Sequence, residues 1–563
     1  MSEQNSVITE NSPTSTAARL GWALLILATL YVCYFSHLGA IGFVGPDEPR
    51  YAWIARDMME TGDWVTPRLY GKPWFEKPPL FYWGAALCFK LFGASEAAAR
   101  LPSAISALLG TLALAWLALR LYGAETARWL LLLLPTTVGM IGFSHAAATD
   151  MPFSGMLTIA MVCAAVVLGF ARNENSPVIP QTAWLALISF GFFLGLAVLA
   201  KGPAAIILTG GAILFWALFT KRWRDAFRLF HPAALTSFCL SALPWYILCA
   251  RRNPDFFRIF IIEHNFKRYL TPEFQHIQPF WFYVPVLLIA FLPWIALLLW
   301  STVEGAIHLW RLRCAEQSTC FLVSWAGFCV LFFSISQSKL PGYILPAVPM
   351  VAILIAHDLT RRLHRRVSDI RWVCLSVGLT LIALGIVAWE LGERIRFVTD
   401  IRQAPTVGQF SVLMVLVGIA IGILAVRQRV PAALVLSATV VPFFMTIGTG
   451  DLWQLDAGVS ARPAAQGAIN HLPESELATA TTYKLQRGLK LGLNFYLRRE
   501  LSEWSPPAGH SSIIFTAYKG SEELQQTGIR CLQYIPHPAV EICVDSSKVM
   551  ALPDSSPGRE QPH

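Results

Sequence analysis

Residues 182–220 read TAWLALISFGFFLGLAVLAKGPAAIILTGGAILFWALFT, and this stretch decides the fold. Two apolar runs, 182–200 and 203–220, stand back to back with only Lys201-Gly202-Pro203 between them. Each is long enough to cross a bilayer as a helix and too long for an ordinary buried strand. The whole chain continues the theme. Of its 563 residues 55% are hydrophobic and 14% charged, with a mean hydropathy of +0.51. A soluble chain carries about a quarter charged residues. The composition therefore excludes disorder, collagen, a disulfide scaffold and an ordinary cytosolic enzyme, and points to an integral membrane protein. The net charge of +9 belongs to basic loops rather than to nucleic-acid binding, and no nucleic-acid partner is expected.

Outward from that stretch, runs of crossing length lie at about 20–42, 101–119, 129–147, 151–171, 233–250, 280–300, 318–335, 341–357, 372–389, 408–426 and 431–449, which makes thirteen with the first two. The apolar run Pro79–Phe89 ends at Lys90, too short to cross, and reads as an interfacial or re-entrant element. Orientation supports this choice. Basic clusters follow every second span: Arg120/Arg128, Lys221/Arg222/Arg224/Arg228, Arg311/Arg313, Arg361/Arg362/Arg365/Arg366/Arg371 and Arg427/Arg429. The positive-inside rule makes those loops cytoplasmic. The amino-terminal tail 1–19 is then inside and the carboxyl-terminal region outside. The run after Arg19 is long enough to remain as an anchor rather than a cleaved signal. Arg50, Lys77, Lys201, Arg268 and Lys339 break the rule by standing outside, and need a reason of their own.

The expected organisation is a transmembrane domain over 20–449, with a large first outer loop at 43–100, followed by an outer α/β domain over 450–563. Candidate strands of that domain are Leu477–Tyr483, Ser512–Ala517, Arg530–Tyr534 and Val540–Val544; Leu489–Arg499 is a candidate helix and Asp545–His563 a frayed tail. Cys531 and Cys543 lie on neighbouring candidate strands, where an outer location leaves a disulfide open. The other cysteines sit in or beside apolar spans and read as small packing residues.

Ionisable groups are nearly missing from the span interiors and gather at their outer ends. A reaction on a lipid-borne substrate at the outer leaflet wants this distribution; an ion-coupled transporter wants acids at mid-membrane. The first loop holds Gly45-Pro46-Asp47-Glu48-Pro49-Arg50-Tyr51 and Trp74-Phe75-Glu76-Lys77-Pro78-Pro79. Between them Ala52–Glu60 has the spacing of an amphipathic helix lying on the membrane. Asp47 before Pro49, and Asp150 before Pro152, also suit plain helix starts. Glu76-Lys77 also suits a solvated pair, and Lys201 a snorkelling lysine. Further outer segments hold Glu263-His264-Asn265-Phe266-Lys267-Arg268-Tyr269 and Ser338-Lys339-Leu340-Pro341-Gly342-Tyr343. Together these place carboxylates, cations, a His and a Tyr on one face. Cations suit a lipid phosphate, and a carboxylate suits a base or a positively charged sugar ring. No DxD element for a metal–nucleotide sugar is present, so a soluble nucleotide donor is not indicated. Glu76 with His264 could hold a divalent ion, on a weak signal of two distant ligands.

The pair P-D-E-x-R-Y and F-E-K-P resembles the aminoarabinose lipid A transferase family, part of the polytopic glycosyltransferases that include the protein O-mannosyltransferases. The resemblance implies a GT-C fold of about thirteen transmembrane helices with a small periplasmic α/β domain, in a bacterial inner membrane. It implies transfer of a sugar from a polyprenyl phosphate to a lipid A-like lipid or other cell-envelope acceptor at the periplasmic face. By the same resemblance Asp47 and Asp150 are the catalytic acids. Arg50, Tyr51, Lys77, Lys201, Arg268 and Tyr343 contact substrate, and Glu76 and His264 are associated with a divalent metal. Trp74 stands where the family often has Tyr, and Pro49 where it often has Thr. A protein O-mannosyltransferase and a lipid-linked sugar flippase are the rival readings. The flippase would need an inverted repeat or mid-span acids, which the sequence does not show.

Overall fold

The structure is a computed structural model, and it describes residues 16–170, 180–270, 277–312, 316–365, 367–399, 405–447, 452–505, 513–526, 529–532 and 538–544. Among them, nine helices are long and apolar enough to cross a membrane, from Thr16–Phe35 to Gln409–Val426. The pair Ala124–Leu133 and Val138–Ser144, bent by 64°, makes up to ten when it is counted as one broken span. The sequence reads this region as one run, 129–147, but Pro135 has no N–H to donate and stops the first helix. The run 280–300 is likewise divided, into Tyr283–Ala290 and Ile295–Leu312, with Pro293 in the gap. Shorter apolar helices include Leu80–Phe92, Ala204–Thr220 and Val430–Thr446. Helices dominate because lipid offers the backbone no partners, so each segment must satisfy its own N–H and C=O groups.

Small residues bring neighbouring helices together. A Cβ on Gly155 of Asp150–Val167 would lie 2.5 Å from the Ser106 carbonyl oxygen of Glu96–Tyr122. One on Gly191 would lie 2.0 Å from the carbonyl of Ala234. Such contacts replace the hydrophobic driving force that lipid removes.

Outside the spans, Asp47–Thr61 begins five residues earlier than the expected Ala52–Glu60 helix and is covered by protein. Ile54, Ala55 and Met58 are completely buried, against Leu80–Phe92 and Arg487–Tyr496. The apolar spacing was read correctly; the surface it meets is the protein rather than lipid. A short ribbon follows, Arg68–Leu69 with Lys72–Pro73, turned by Tyr70 and Gly71 at positive φ. That turn has the twist that antiparallel strands favour.

The carboxyl-terminal region carries a four-stranded sheet in the order Thr481–Tyr483, Ile513–Thr516, Glu541–Val544, Arg530–Leu532. The first pair is parallel and the others antiparallel. Arg487–Tyr496 stands where the helix 489–499 is expected. The expected strand from Leu477 is shorter, because Glu474–Leu477 is a helical turn. Ser512, Gln533, Tyr534 and the tail 545–563 lie outside the described residues. Cys531 and Cys543 face each other across adjacent strands and form a disulfide.

Two arginines fasten the first outer loop, Arg462 from this region and Arg100 from the helix Glu96–Tyr122. Arg462 donates to the carbonyls of Gly39 (2.8 Å) and Ala40 (2.7 Å) and pairs with Asp456 at 2.7 Å. Asp456 in turn accepts from the Gly42 N–H at 2.6 Å. Arg100 takes the carbonyls of Leu38, Ile41 and Gly42 at 2.7–2.8 Å and pairs with Glu48 at 2.7 Å. Every one of these charges is met by fixed partners.

Candidate active site

Asp47 and Glu48 open the helix Asp47–Thr61, whose cap position is Pro46 with no side-chain bond. Asp47 is therefore not a capping residue. It pairs with Arg50 and leaves 53% of its side chain exposed. Glu48 is 7% exposed and accepts from the Val44 and Ala147 N–H groups at 2.8 and 2.7 Å as well as from Arg100. It is a structural tie that sequence reading left without a role.

Arg50 is 5% exposed and reaches further, to Glu76 at 3.2 Å. Its guanidinium lies 5.3 Å from the Trp74 ring and 5.2 Å from that of Tyr51. Burial would lower its basicity, but Tyr51, Glu76 and Asp47 outweigh burial and raise it, so the cation persists. Tyr51 itself is buried against Phe81 and Tyr82, behind Arg50 rather than open to a substrate. Glu76 also pairs with Lys77 at 3.6 Å. These two side chains are only 12% and 13% exposed, so they are not a solvated surface pair. The result is a continuous line of alternating charge: Asp47, Arg50, Glu76, Lys77.

Lys77 is where that line meets a cavity of about 340 Å³. The cavity's polar wall includes Lys201, His264 and Tyr343, and its apolar wall includes Ile207, Leu270 and Phe332. Lys201 ends the helix Pro180–Lys201 and pairs with Asp150, in the first turn of Asp150–Val167. It is 8% exposed and lies 4.6 Å from the Tyr343 ring centre, so it does not snorkel. Asp150 is not a cap either; Thr149 holds that position. Gly342 lets the two elements meet, because a Cβ there would stand 2.5 Å from the Asp150 Oδ1. Two back-to-back apolar helices with a KGP turn thus deliver one cation to the top of a cavity.

The structure brings together Asp47, Arg50, Glu76 and Lys77 in one line, and Lys77, Lys201, His264 and Tyr343 around one cavity. Arg268 begins the short helix Arg268–Leu270, and its side chain lies outside the described residues. The expected Glu76–His264 metal site has no third ligand among the described residues. Among the described residues no three His, Cys, Asp or Glu side chains are grouped to hold an ion, and Glu76 faces two cations. The donor set does not fit a resident metal.

Residues 16–260 match the family model described as dolichyl-phosphate-mannose-protein mannosyltransferase. The chain is 35% identical over 338 residues to an undecaprenyl phosphate-alpha-4-amino-4-deoxy-L-arabinose arabinosyl transferase of Erwinia tasmaniensis, covering 60% of this chain and 59% of that one. A like-named transferase of Pseudomonas fluorescens is 32% identical over 368 residues, 65% and 64% of the two chains. The match thus spans about three fifths of the length of these curated relatives. The fold extends further. ArnT from Cupriavidus metallidurans, crystallised bound to undecaprenyl phosphate, superposes with a TM-score of 0.71 at 25% identity, covering 94% of this chain and 98% of that one. Its apo form gives 0.70 over 94% and 99%. The chain is a multi-pass helical membrane protein of the GT-C fold, resembling the aminoarabinose lipid A transferases and the protein O-mannosyltransferases.

Proposed function

We propose that this protein is a glycosyltransferase that moves a sugar from a polyprenyl phosphate to a cell-envelope lipid. The observation that carries the reading is the cavity at whose rim Lys77 connects, through Glu76 and Arg50, to the open carboxylate of Asp47. Its polar wall suits a phosphate and its apolar wall the start of a prenyl chain. The relatives' names support undecaprenyl phosphate as carrier and 4-amino-4-deoxy-L-arabinose as sugar; a lipid A-like lipid is the proposed acceptor.

In this reading Lys77, Lys201, Arg268 and Tyr343 hold the phosphate, and cations placed before reaction cost no reorganisation as charge grows. The acceptor oxygen bonds to the anomeric carbon. The bond to the phosphate oxygen breaks, with its electron pair leaving on phosphate. Asp47 takes the acceptor hydroxyl's proton; an acceptor phosphate would need no base. Displacement in one step inverts the anomeric centre. Arg50, backed by Tyr51, holds Asp47 in place. Asp150 keeps Lys201 in position and screens it until the phosphate arrives. No metal carries a step.

Thirteen spans complete the topology. Ala204–Thr220, Val430–Thr446 and the divided 280–305 element add to the ten above. The protein sits in the bacterial inner membrane, with 1–19 cytoplasmic, 20–449 as the membrane domain and 450–563 as a periplasmic domain. The deciding experiment is transfer by the purified protein in liposomes from undecaprenyl-phosphate aminoarabinose to lipid A, read by mass spectrometry. A labelled polypeptide would indicate a protein O-mannosyltransferase instead, and donor movement without transfer a flippase.

A further inference from the structure

One wall of the cavity is the turn between the helix Gln317–Ile335 and the short helix Pro341–Ala347. Its Ser336 and Ser338 both line the cavity. The turn is well fastened. The Ser336 hydroxyl donates to the Ser338 carbonyl at 3.0 Å, and the Gln337 N–H donates to the Tyr269 carbonyl at 3.0 Å. Two side chains within it are nonetheless underused. Ser338 is 2% exposed, and its hydroxyl has no partner among the described residues. Lys339 does not itself line the cavity but stands directly behind its wall: it is 7% exposed, and among the described residues its ammonium group meets the carbonyl of the lining Ser336, at 2.6 Å, and no carboxylate. An unpaired buried cation and an unmade buried hydrogen bond both cost stability. Burial also pushes the Lys339 amine below its usual range. Lys201 and Arg100, by contrast, each have a carboxylate.

We propose that Ser338 and Lys339 are further phosphate-binding residues, which take oxygens of the lipid phosphate that Lys201 and Tyr343 leave unmet. The proposal rests on the reading of the cavity as a lipid-phosphate site. A serine hydroxyl reaches a new partner by one turn between staggered positions. The ammonium group keeps two N–H donors beyond the one given to Ser336. The chemistry gives these donors a moment of use. A sugar-linked phosphodiester carries one negative charge. When the acceptor oxygen bonds to the sugar, the sugar–oxygen bond breaks toward phosphate. The acceptor proton passes to Asp47, and the lipid phosphate gains a second charge. An additional cation and hydroxyl stabilise that leaving group more than the bound donor, which is the difference that speeds a reaction.

The test uses the full chain in detergent, with undecaprenyl phosphate as the probe. Ser338→Ala and Lys339→Met should each weaken its binding about tenfold, the scale of a hydrogen bond to a charged group. Ser338→Ala should not lower the unfolding temperature of the lipid-free protein, because its hydroxyl has no partner to lose; Lys339→Met gives up one bond, to the Ser336 carbonyl. Lys339→Arg should restore most of the binding. Unchanged affinity in both variants, with binding lost in Lys201→Met, would overturn the role of this turn and leave the cavity reading standing. A fall in affinity matched by a fall in lipid-free stability in Ser338→Ala would also overturn it, as a structural effect. Failure of the unaltered protein to bind undecaprenyl phosphate would reject the cavity reading itself, and the proposal with it.

Discussion

Asp47 and Glu48 are neighbours in one helical turn, and their surroundings could hardly differ more. Glu48 accepts from two backbone N–H groups and a two-pronged Arg100, and is 7% exposed. Among the described residues Asp47 pairs with Arg50 alone, and it stands half open. The same contrast separates two larger regions. Around Arg100 and Arg462, carbonyls and carboxylates use the guanidinium groups fully. Around the cavity, Lys339 and Ser338 retain capacity to bind. Charge that is saturated by the protein holds the fold, and charge that is left with room for a partner is placed for a ligand.

Breaking the contrast at Asp47 has the largest expected effect. Asp47→Asn should cost about 10²–10⁴-fold in transfer rate to a hydroxyl acceptor, the usual worth of a general base, with unfolding temperature unchanged. If stability fell instead, Asp47 would belong with Glu48. The reverse substitution lies at the saturated corner. Arg100→Leu leaves Glu48 buried without its cation, and should destabilise the fold by about 3–5 kcal/mol, read as loss of folded protein on heating. Gly342→Ala probes the cavity wall. The added carbon meets Asp150 and must push it from Lys201, at a cost of about 1–3 kcal/mol, and should weaken undecaprenyl phosphate binding.

The smallest effect concerns Asp63, which joins the first outer loop to the end of the helix Pro232–Arg252 through Arg252 at 3.0 Å. Burial raises its pKa, but the Thr66 and Val65 N–H groups and two arginines outweigh burial and hold it below 3.8. A carboxylate with a depressed folded pKa stabilises the fold above its unfolded value, and this stability is lost as pH falls through the folded one. Asp63→Asn should therefore cost about 1 kcal/mol or less at neutral pH, since Arg252 is half exposed. The difference from the unaltered protein should vanish as pH falls well below 3.8 in a thermal-unfolding series.

The membrane architecture was legible because a bilayer imposes one simple demand, length without charge, and 182–220 meets it twice. The bends at Pro135 and Pro293 were visible as residues but averaged away within apolar runs. Asp47, Lys77 and Lys201 could be singled out because charges at outer span ends are conspicuous. Which of Asp47 and Glu48 stays open could not be read, since Arg100 and the Ala147 N–H arrive from elsewhere in the chain. Ser338 carries no charge, and nothing in its sequence context marks a hydroxyl without a partner. The Ala52–Glu60 periodicity was real, but a 3.6-residue repeat does not distinguish a lipid surface from a protein one.

The clasp between Asp456, Arg462 and the carbonyls of Gly39 and Ala40 has a consequence in time. Synthesis runs from the amino terminus, so the 38–50 turn meets Arg100 early but is made more than 400 residues before the groups of this clasp. Until residues 456–496 emerge, the loop bearing Asp47 is held by Arg100 without this second clasp, whatever number of helices has already been inserted. The reactive corner is thus completed near the end of biogenesis. A chain halted at residue 450 should display residues 38–50 to a protease that the finished protein resists.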